Sequence, residues 1–283
     1  MSQTVTDPIV LEQGHAPQRI AIRKHGVVVR ITHWINAFAW IFLLMSGLQI
    51  FNAHPALYWG QQSNFAHPFL AMTASDQTPP QGITSIEGHA FNTTGWFGLS
   101  KVNGQPQERG FPAFMTWPGQ QDLATGRGWH FFFAWLLVIN GFFYLVSGFV
   151  SRHFARDLWP SWADIRHIPR SVWDHARLRF PHHRDYNVLQ KLAYLSAGLL
   201  ALPLMVLTGL TMSPAFNAAC PWLLELFGGR QSARTIHFIT AMALVLFVVV
   251  HIVMVLISGV FNNLRSMITG RYVVDEETSD AAQ

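Results

Sequence analysis

His237 and His251 stand fourteen residues apart in a stretch of chain with no charged side chain between them. Fourteen residues of α-helix return to within about 40° of the starting face and advance roughly 21 Å, so both imidazoles would leave one side of a helix at two depths. Among fourteen histidines in the chain, His33 and His130 also fall in long uncharged stretches. An ionisable ring at membrane depth is costly and marks function. Depth then pairs them: His33 with His251 toward one side of a membrane, and His130 with His237 toward the other. Two neutral imidazoles on opposite faces of a planar macrocycle are the ligands of a low-spin, electron-transferring b-type haem, and filling both axial positions argues against oxygen chemistry. The spacing therefore predicts two non-covalent haems b with His33, His130, His237 and His251 as the metal ligands. Packed structural histidines or a proton relay would use the same positions.

Three of these histidines have an arginine three residues earlier: Arg30 before His33, Arg127 before His130, and Arg234 before His237. At that spacing the guanidinium lies one turn away on the same face, at a helix start, where it can meet a haem propionate in a charge-assisted hydrogen bond. Snorkelling to the membrane surface is the competing role, above all for Arg30. Gly47, fourteen residues after His33, and Gly141, eleven after His130, return to nearly the ligand face and would leave room for the other haem plane. His54, His67 and His89, with His167, His175, His182 and His183, read as solvated or interfacial side chains.

The elements that must position these residues follow from composition. Nineteen basic and fifteen acidic side chains make up 12% of 283 residues, about half the ~25% of a soluble domain. Half the residues are apolar and they fall in long charge-free runs, which excludes disorder and a soluble globule. Four runs reach the ~20 residues that a spanning helix requires: about 31–51, 128–151, 192–212 and 235–260. The expected fold is an all-α integral-membrane four-helix bundle, with Pro203 and Pro214 kinking or ending the third helix. The stretch from Phe65 to Ala74 is too short and too polar to cross. One cysteine, Cys220, excludes an intrachain disulfide framework, a thiolate-held iron-sulfur cluster and covalent haem attachment. The first thirty residues lack the apolar core of a cleavable signal, so the first run is expected to remain as an anchor.

Fourteen lysines and arginines fall before the first span, between the second and third, or after the fourth, against five in the other two loops. The positive-inside bias puts both termini in the cytoplasm, and the same clustering explains the basic balance without nucleic acid. The loop of about 52–127 then becomes a periplasmic insert carrying Trp59, Trp96, Phe97, Phe111 and Trp117. At that length a folded insert with a docking surface is expected. The cytoplasmic loop of about 152–191, with Trp159, Trp162, Ile165, Ile168, Val172 and Trp173 among arginines, reads as an amphipathic segment on the inner leaflet.

With these residues in hand, the chain resembles the bacterial di-haem cytochrome b membrane subunits of periplasmic oxidoreductases, such as formate dehydrogenase, nickel-iron hydrogenase and thiosulfate-reductase-like complexes. The resemblance covers all four spans. It is carried by Arg30-x-x-His33-Trp34, by Arg234-x-x-His237 with His251, and by the Asp185 to Lys191 stretch, which looks like the Tyr-Asn-x-x-Gln-Lys motif of these subunits. It implies one di-haem domain over residues 1–283 in the bacterial cytoplasmic membrane, with the same histidine pairing. A molybdopterin or iron-sulfur oxidoreductase on the periplasmic side, and menaquinone or ubiquinone as substrate, are implied as well. Asn187, Gln190 and Lys191 begin the third span at the depth of His33 and His251, so they form the expected quinone site together with His251. An inner-leaflet anchor and a helix N-cap are the plainer roles of Lys191 and Asn187. The long first loop departs from the compact formate dehydrogenase subunit, which leaves the partner open.

The function expected is transmembrane electron relay between that partner and the quinone pool. No Walker loop, Gly-x-Ser-x-Gly or His-Glu-x-x-His occurs, so no catalytic residue for hydrolysis or group transfer is expected. A stand-alone cytochrome b that reacts with a small oxidant such as superoxide, and a histidine-based proton or ion transporter without haem, are the alternatives.

Overall fold

The computed structural model describes residues 19–152, 159–177 and 188–275. Four helices in it are long and apolar enough to cross a membrane: Val27–Asn52, Leu123–Val150, Val188–Thr211 and Arg230–Ile257. They are called the first to fourth membrane helices below. The second starts well ahead of its apolar run because Asp122 caps it, its carboxylate accepting from the Thr125 amide at 3.0 Å. Hydrogen bonds from the Thr125 hydroxyl and amide hold that carboxyl below its ordinary range. In the third helix the segment Ser196–Ala201 takes a π-helical turn. Pro203 lies just beyond it and has no N–H to give the preceding turn, so the ladder widens there and resumes through Thr211. Pro214 stands just past the end of that helix and opens the short helix Pro214–Ala219.

The helices pack as two pairs, the first against the second and the third against the fourth. Gly126 permits the first approach, since a Cβ there would lie 3.0 Å from Gln49 Cγ. Phe42 stacks on Phe133 at 4.4 Å across the same seam. Between the pairs the contact is made by rings, with Phe51 stacked on Phe238 at 4.8 Å. Trp135, Phe142, Phe143 and Phe149 of the second helix are exposed, as side chains facing lipid tails are.

The expectation of an all-α chain holds for the membrane part and fails outside it. The segment between the first two helices forms an antiparallel sheet in the order β2 (Ala56–Leu57), β3 (Leu70–Ala74), β4 (Gly82–Ile86), β5 (His89–Asn92), with a separate ribbon of β6 (Gly98–Val102) and β7 (Gln105–Arg109). These apolar runs are far too short to span, and their backbone groups are satisfied by pairing with one another. Its core is Leu57, Met72 and Phe111 packed on Leu48 and Phe51 of the first helix, with Phe238 and Met242 of the fourth against them. The insert is thus seated on one end of the bundle. Asn52 fixes the seat by donating to the Phe111 carbonyl at 3.0 Å and accepting from its amide at 2.7 Å. Thr235 donates to the Tyr58 carbonyl at 2.7 Å, and the Gly60 amide donates to Ser232 Oγ at the same distance.

At the other end, strand β1 (Arg19–Arg23) pairs antiparallel with β8 (Arg271–Asp275), which follows the amphipathic helix Val260–Thr269. Two short helices, Trp162–Arg166 and Ile168–Ala176, expose Trp162, Ile165, Val172 and Trp173. Ser161 and Asp164 form a capping box at their start. The Ser161 amide, followed by the ammonium of Lys191, draws the Asp164 carboxyl below its ordinary range.

Arg109 is the largest fully buried side chain of the insert, 1% exposed. It donates to the carbonyls of Phe111 (2.6 Å) and Gly119 (3.1 Å) and to Thr116 Oγ1 (3.0 Å). Replacing it by Leu orphans these acceptors, at about 1–3 kcal/mol for each buried group. Arg109→Leu is expected to destabilise the insert by on the order of 3 kcal/mol, read as faster proteolysis within residues 53–122 while the membrane helices remain protected. Unchanged cleavage would show that the guanidinium does not hold the insert together.

Candidate functional site

The four membrane histidines meet in two pairs. His33 of the first helix and His251 of the fourth have ring centroids 6.3 Å apart at an interplanar angle of 60°. His130 of the second and His237 of the fourth are also 6.3 Å apart, at 62°. The fourth helix is continuous from Arg230 to Ile257, so the two sites are separated by roughly 21 Å along its axis.

The geometry fits a metal held between each pair. A metal–imidazole bond of about 2 Å, added to a ring radius of roughly 1 Å on each side, sets coaxial ligand centroids about 6 Å apart. Among the described residues no group of three or more His, Cys, Asp or Glu gathers. Two protein donors are what a metal needs when a macrocycle supplies the four equatorial positions.

The tautomer of the second pair is set by its surroundings. His130 Nδ1 lies 3.1 Å from Ser46 Oγ, and His237 Nδ1 lies 2.9 Å from Thr208 Oγ1. Both hydroxyls already donate to carbonyls of their own helices, Ser46 to Phe42 and Thr208 to Leu204, so each oxygen is left to accept. Nδ1 therefore carries the proton, and the Nε2 lone pair is directed away from the supporting helix. A glycine follows each hydroxyl residue. A Cβ at Gly47 would meet His130 Cε1 at 3.3 Å, and one at Gly209 would meet His237 Cε1 at 3.5 Å. Ser46-Gly47-Leu48 and Thr208-Gly209-Leu210 thus form matching cradles, one in each helix pair. Sequence reasoning missed Ser46, Thr208 and Gly209, although the repeated hydroxyl-Gly-Leu triplet was present as a signal. Gly47 faces the ring of His130, and nothing lies within 4 Å of a Cβ at Gly141.

The first pair is walled by aromatics. Phe247 stacks on His251 at 6.1 Å and 16°, and Trp34 meets His33 edge-on at 5.4 Å. One turn along, Asn140 ties the second helix to the first by donating to Asn36 Oδ1 (2.7 Å) and to the Thr32 carbonyl (2.9 Å).

The three arginines have different environments. Arg30 donates to the Ile268 carbonyl at 2.5 Å, while its Nε is buried and finds no partner among the described residues. Arg127 is exposed over the Phe131 ring. Arg234 reaches the insert, donating to the carbonyls of Ala56 and His54. His54, expected as a solvated or interfacial side chain, is half-buried: it stacks on Tyr58 at 5.7 Å, and its Nε2 is 3.1 Å from the Tyr58 hydroxyl. Burial, and then the positive charge of Arg234, push its pKa down and keep it neutral near pH 7.

Of the expected quinone residues, Lys191 is bound to Asp164 at 3.0 Å, which ties the third helix to the short amphipathic helix. Gln190 is exposed on the same turn. Asn187 lies outside the described residues.

A sequence profile of the prokaryotic cytochrome b561 family matches residues 24–270. A protein of Azospira oryzae named "Putative protein-methionine-sulfoxide reductase subunit YedZ1" is 31% identical over 233 residues, covering 82% of this chain and 89% of that protein.

The hydroxyl cradles generate an electrochemical prediction. A hydrogen bond from Nδ1 makes an axial imidazole a stronger donor and favours the oxidised metal. Removing an acceptor worth about 1 kcal/mol shifts a one-electron couple by on the order of 40 mV. Were His130 and His237 to ligate a haem, Thr208→Val and Ser46→Ala would each raise the midpoint of that component by about 40 mV and leave any other component unmoved, as read by redox titration of the optical spectrum. Equal shifts in all components would contradict a local role.

Proposed function

The chain belongs to the prokaryotic cytochrome b561 family, and from that premise we propose that it relays electrons between a periplasmic oxidoreductase and the quinone pool through two bis-histidine haems b. That it is a multi-pass b-type cytochrome of a bacterial inner membrane, serving as an electron-transfer subunit, follows from the family and the four membrane helices. The observation carrying the finer reading is the pair of imidazole pairs, set at two depths on one continuous helix. Haem supplies a one-electron carrier whose axial positions both belong to the protein.

The chain's own residues orient and insulate. Seated Nδ1 protons leave Nε2 as the ligating atom of His130 and His237, and Phe247 and Trp34 shield His251 and His33. Arg127 and Arg234 supply positive charge one turn before His130 and His237. Ring protons held by the Ser46 and Thr208 hydroxyls favour ligation over a proton relay, which needs a ring free to exchange its two nitrogens.

The bias of basic residues supports cytoplasmic termini and a periplasmic insert. On that topology the His130/His237 site lies beneath the insert, and a molybdopterin or iron-sulfur partner docks there on exposed aromatics such as Trp96 and Phe114. The His33/His251 site lies at the cytoplasmic side. Asn187, Gln190 and Lys191 with His251 would receive menaquinone or ubiquinone there, since Lys191 retains two ammonium protons beside its bond to Asp164. The name of the Azospira relative supports a methionine sulfoxide reductase as partner. Electrons would then run outward: a quinol gives up two electrons and two protons, and a sulfoxide takes two of each to become a thioether and water.

Ligand variants test the order of the two sites. His130→Ala is expected to lose half the haem, keep the remainder reducible by quinol, and stop delivery to the partner. His33→Ala is expected to lose the other half and to slow quinol-driven reduction of the haem that remains by at least tenfold. Loss of all haem from either variant while it stays folded in the membrane would contradict the two-site reading. Unchanged quinol reduction in His33→Ala would move the quinone site to the other end.

A further inference from the structure

At the His33/His251 end, a concavity of about 430 Å³ lies between strand β1, strand β8 and the start of the first helix. Its walls carry the guanidinium residues Arg23, Arg30 and Arg271 together with His25, and no carboxylate lines it among the described residues. Two of these cations are opposed by the fold itself. The β1–β8 register places Arg23 directly across from Arg271. Like charges directly opposite in a ladder are destabilising. Arg30, held by the Ile268 carbonyl, keeps a buried Nε with no partner among the described residues. Gly270 closes the corner in a left-handed conformation (φ 81°) where a Cβ would lie 2.9 Å from the His25 carbonyl and 3.5 Å from the Arg30 guanidinium, so the turn beside the hollow tolerates no side chain.

Three arginines line one polar hollow in which, among the described residues, no carboxylate opposes them, and such a hollow suits an anion. Planar guanidinium forks match the oxygens of a phosphate group bidentately. The rim is apolar: Val27, Ile31 and Ile268 are exposed around it, where the first helix enters the membrane and the amphipathic helix Val260–Thr269 ends. We propose that this hollow is a phosphate-binding site at the membrane surface, taking a phosphate ester through Arg23, Arg30 and Arg271. An anionic phospholipid headgroup and a water-soluble phosphate compound share that chemistry, and the experiment separates them.

The full-length haem-loaded protein is placed in phosphatidylcholine nanodiscs with or without phosphatidylglycerol, and separately in detergent with inorganic phosphate against chloride at equal ionic strength. Thermal stability is read in each case, with retained lipid read by native mass spectrometry. The wild type is expected to gain several degrees in Tm from at least one probe, and the double variant Arg23→Gln, Arg271→Gln to lose most of that gain while its haem spectrum is unchanged. Should that variant fold poorly, Arg23→Lys with Arg271→Lys keeps the charge, loses the fork, and is expected to give a response at least threefold weaker than wild type. Arg166→Gln with Arg170→Gln, on the short amphipathic helices, is expected to respond as wild type does. A response to phosphatidylglycerol alone assigns the site to lipid; a response to inorganic phosphate as well assigns it to a soluble ligand. No response to either probe, or equal losses in the Arg23/Arg271 and Arg166/Arg170 variants, would overturn the site in favour of diffuse surface charge.

Discussion

An imidazole in the middle of a membrane has two nitrogens, and water is not there to satisfy either. The hydrogen bond from Nδ1 of His130 toward Ser46 and of His237 toward Thr208 answers for one of them. Much of the surrounding bundle follows from that demand. A hydroxyl must stand on the neighbouring helix, with its own proton already given to a carbonyl one turn earlier. A glycine must follow it so that the ring can approach, and the two helices must pack closely enough for the bond to form. Both helix pairs meet these conditions with the same local sequence. The Nε2 atoms, left with lone pairs, are directed across the gap between the pairs, where side chains alone make contact.

The second constraint is that one end of this gap is covered. Arg234, one turn before His237, reaches out of the bundle to two backbone carbonyls of the insert, and Thr235 beside it takes a third. The insert core continues into the bundle through Phe51, Phe111 and Phe238, so the fourth helix, which carries His237 and His251, is packed with the insert as one body. A protein docking on the insert would therefore act on a surface coupled to the His130/His237 site by packed rings and short hydrogen bonds. At the opposite end Arg30 and Trp34 are fixed to carbonyls of the last amphipathic helix, giving the His33/His251 site its own closure.

What could be read in the residues and what could not divides along physical lines. Charge-free runs of about twenty residues have few alternatives to spanning, so the membrane helices were legible. The fourteen-residue spacing on a continuous helix and the depths of His33 and His130 suffice to say which rings meet. The π turn before Pro203 was half legible, since a proline signals disruption without saying whether a helix ends or widens. The β insert was not legible: its strands are two to five residues long, and its buried anchor is an arginine, the residue type least expected in a core. Ser46 and Thr208 escaped notice because hydroxyls in membrane helices ordinarily bond back to their own carbonyls. These two do so as well, and what matters is the lone pair that remains.

The account depends on two metal sites in which every axial position is an imidazole. The most direct measurement is the haem content of the purified chain by pyridine haemochrome, taken with its low-temperature electron paramagnetic resonance spectrum in the oxidised state. Two haems b per chain, both low-spin ferric, is the result predicted. A single haem per chain, or a high-spin signal from an open axial position at either site, would contradict it.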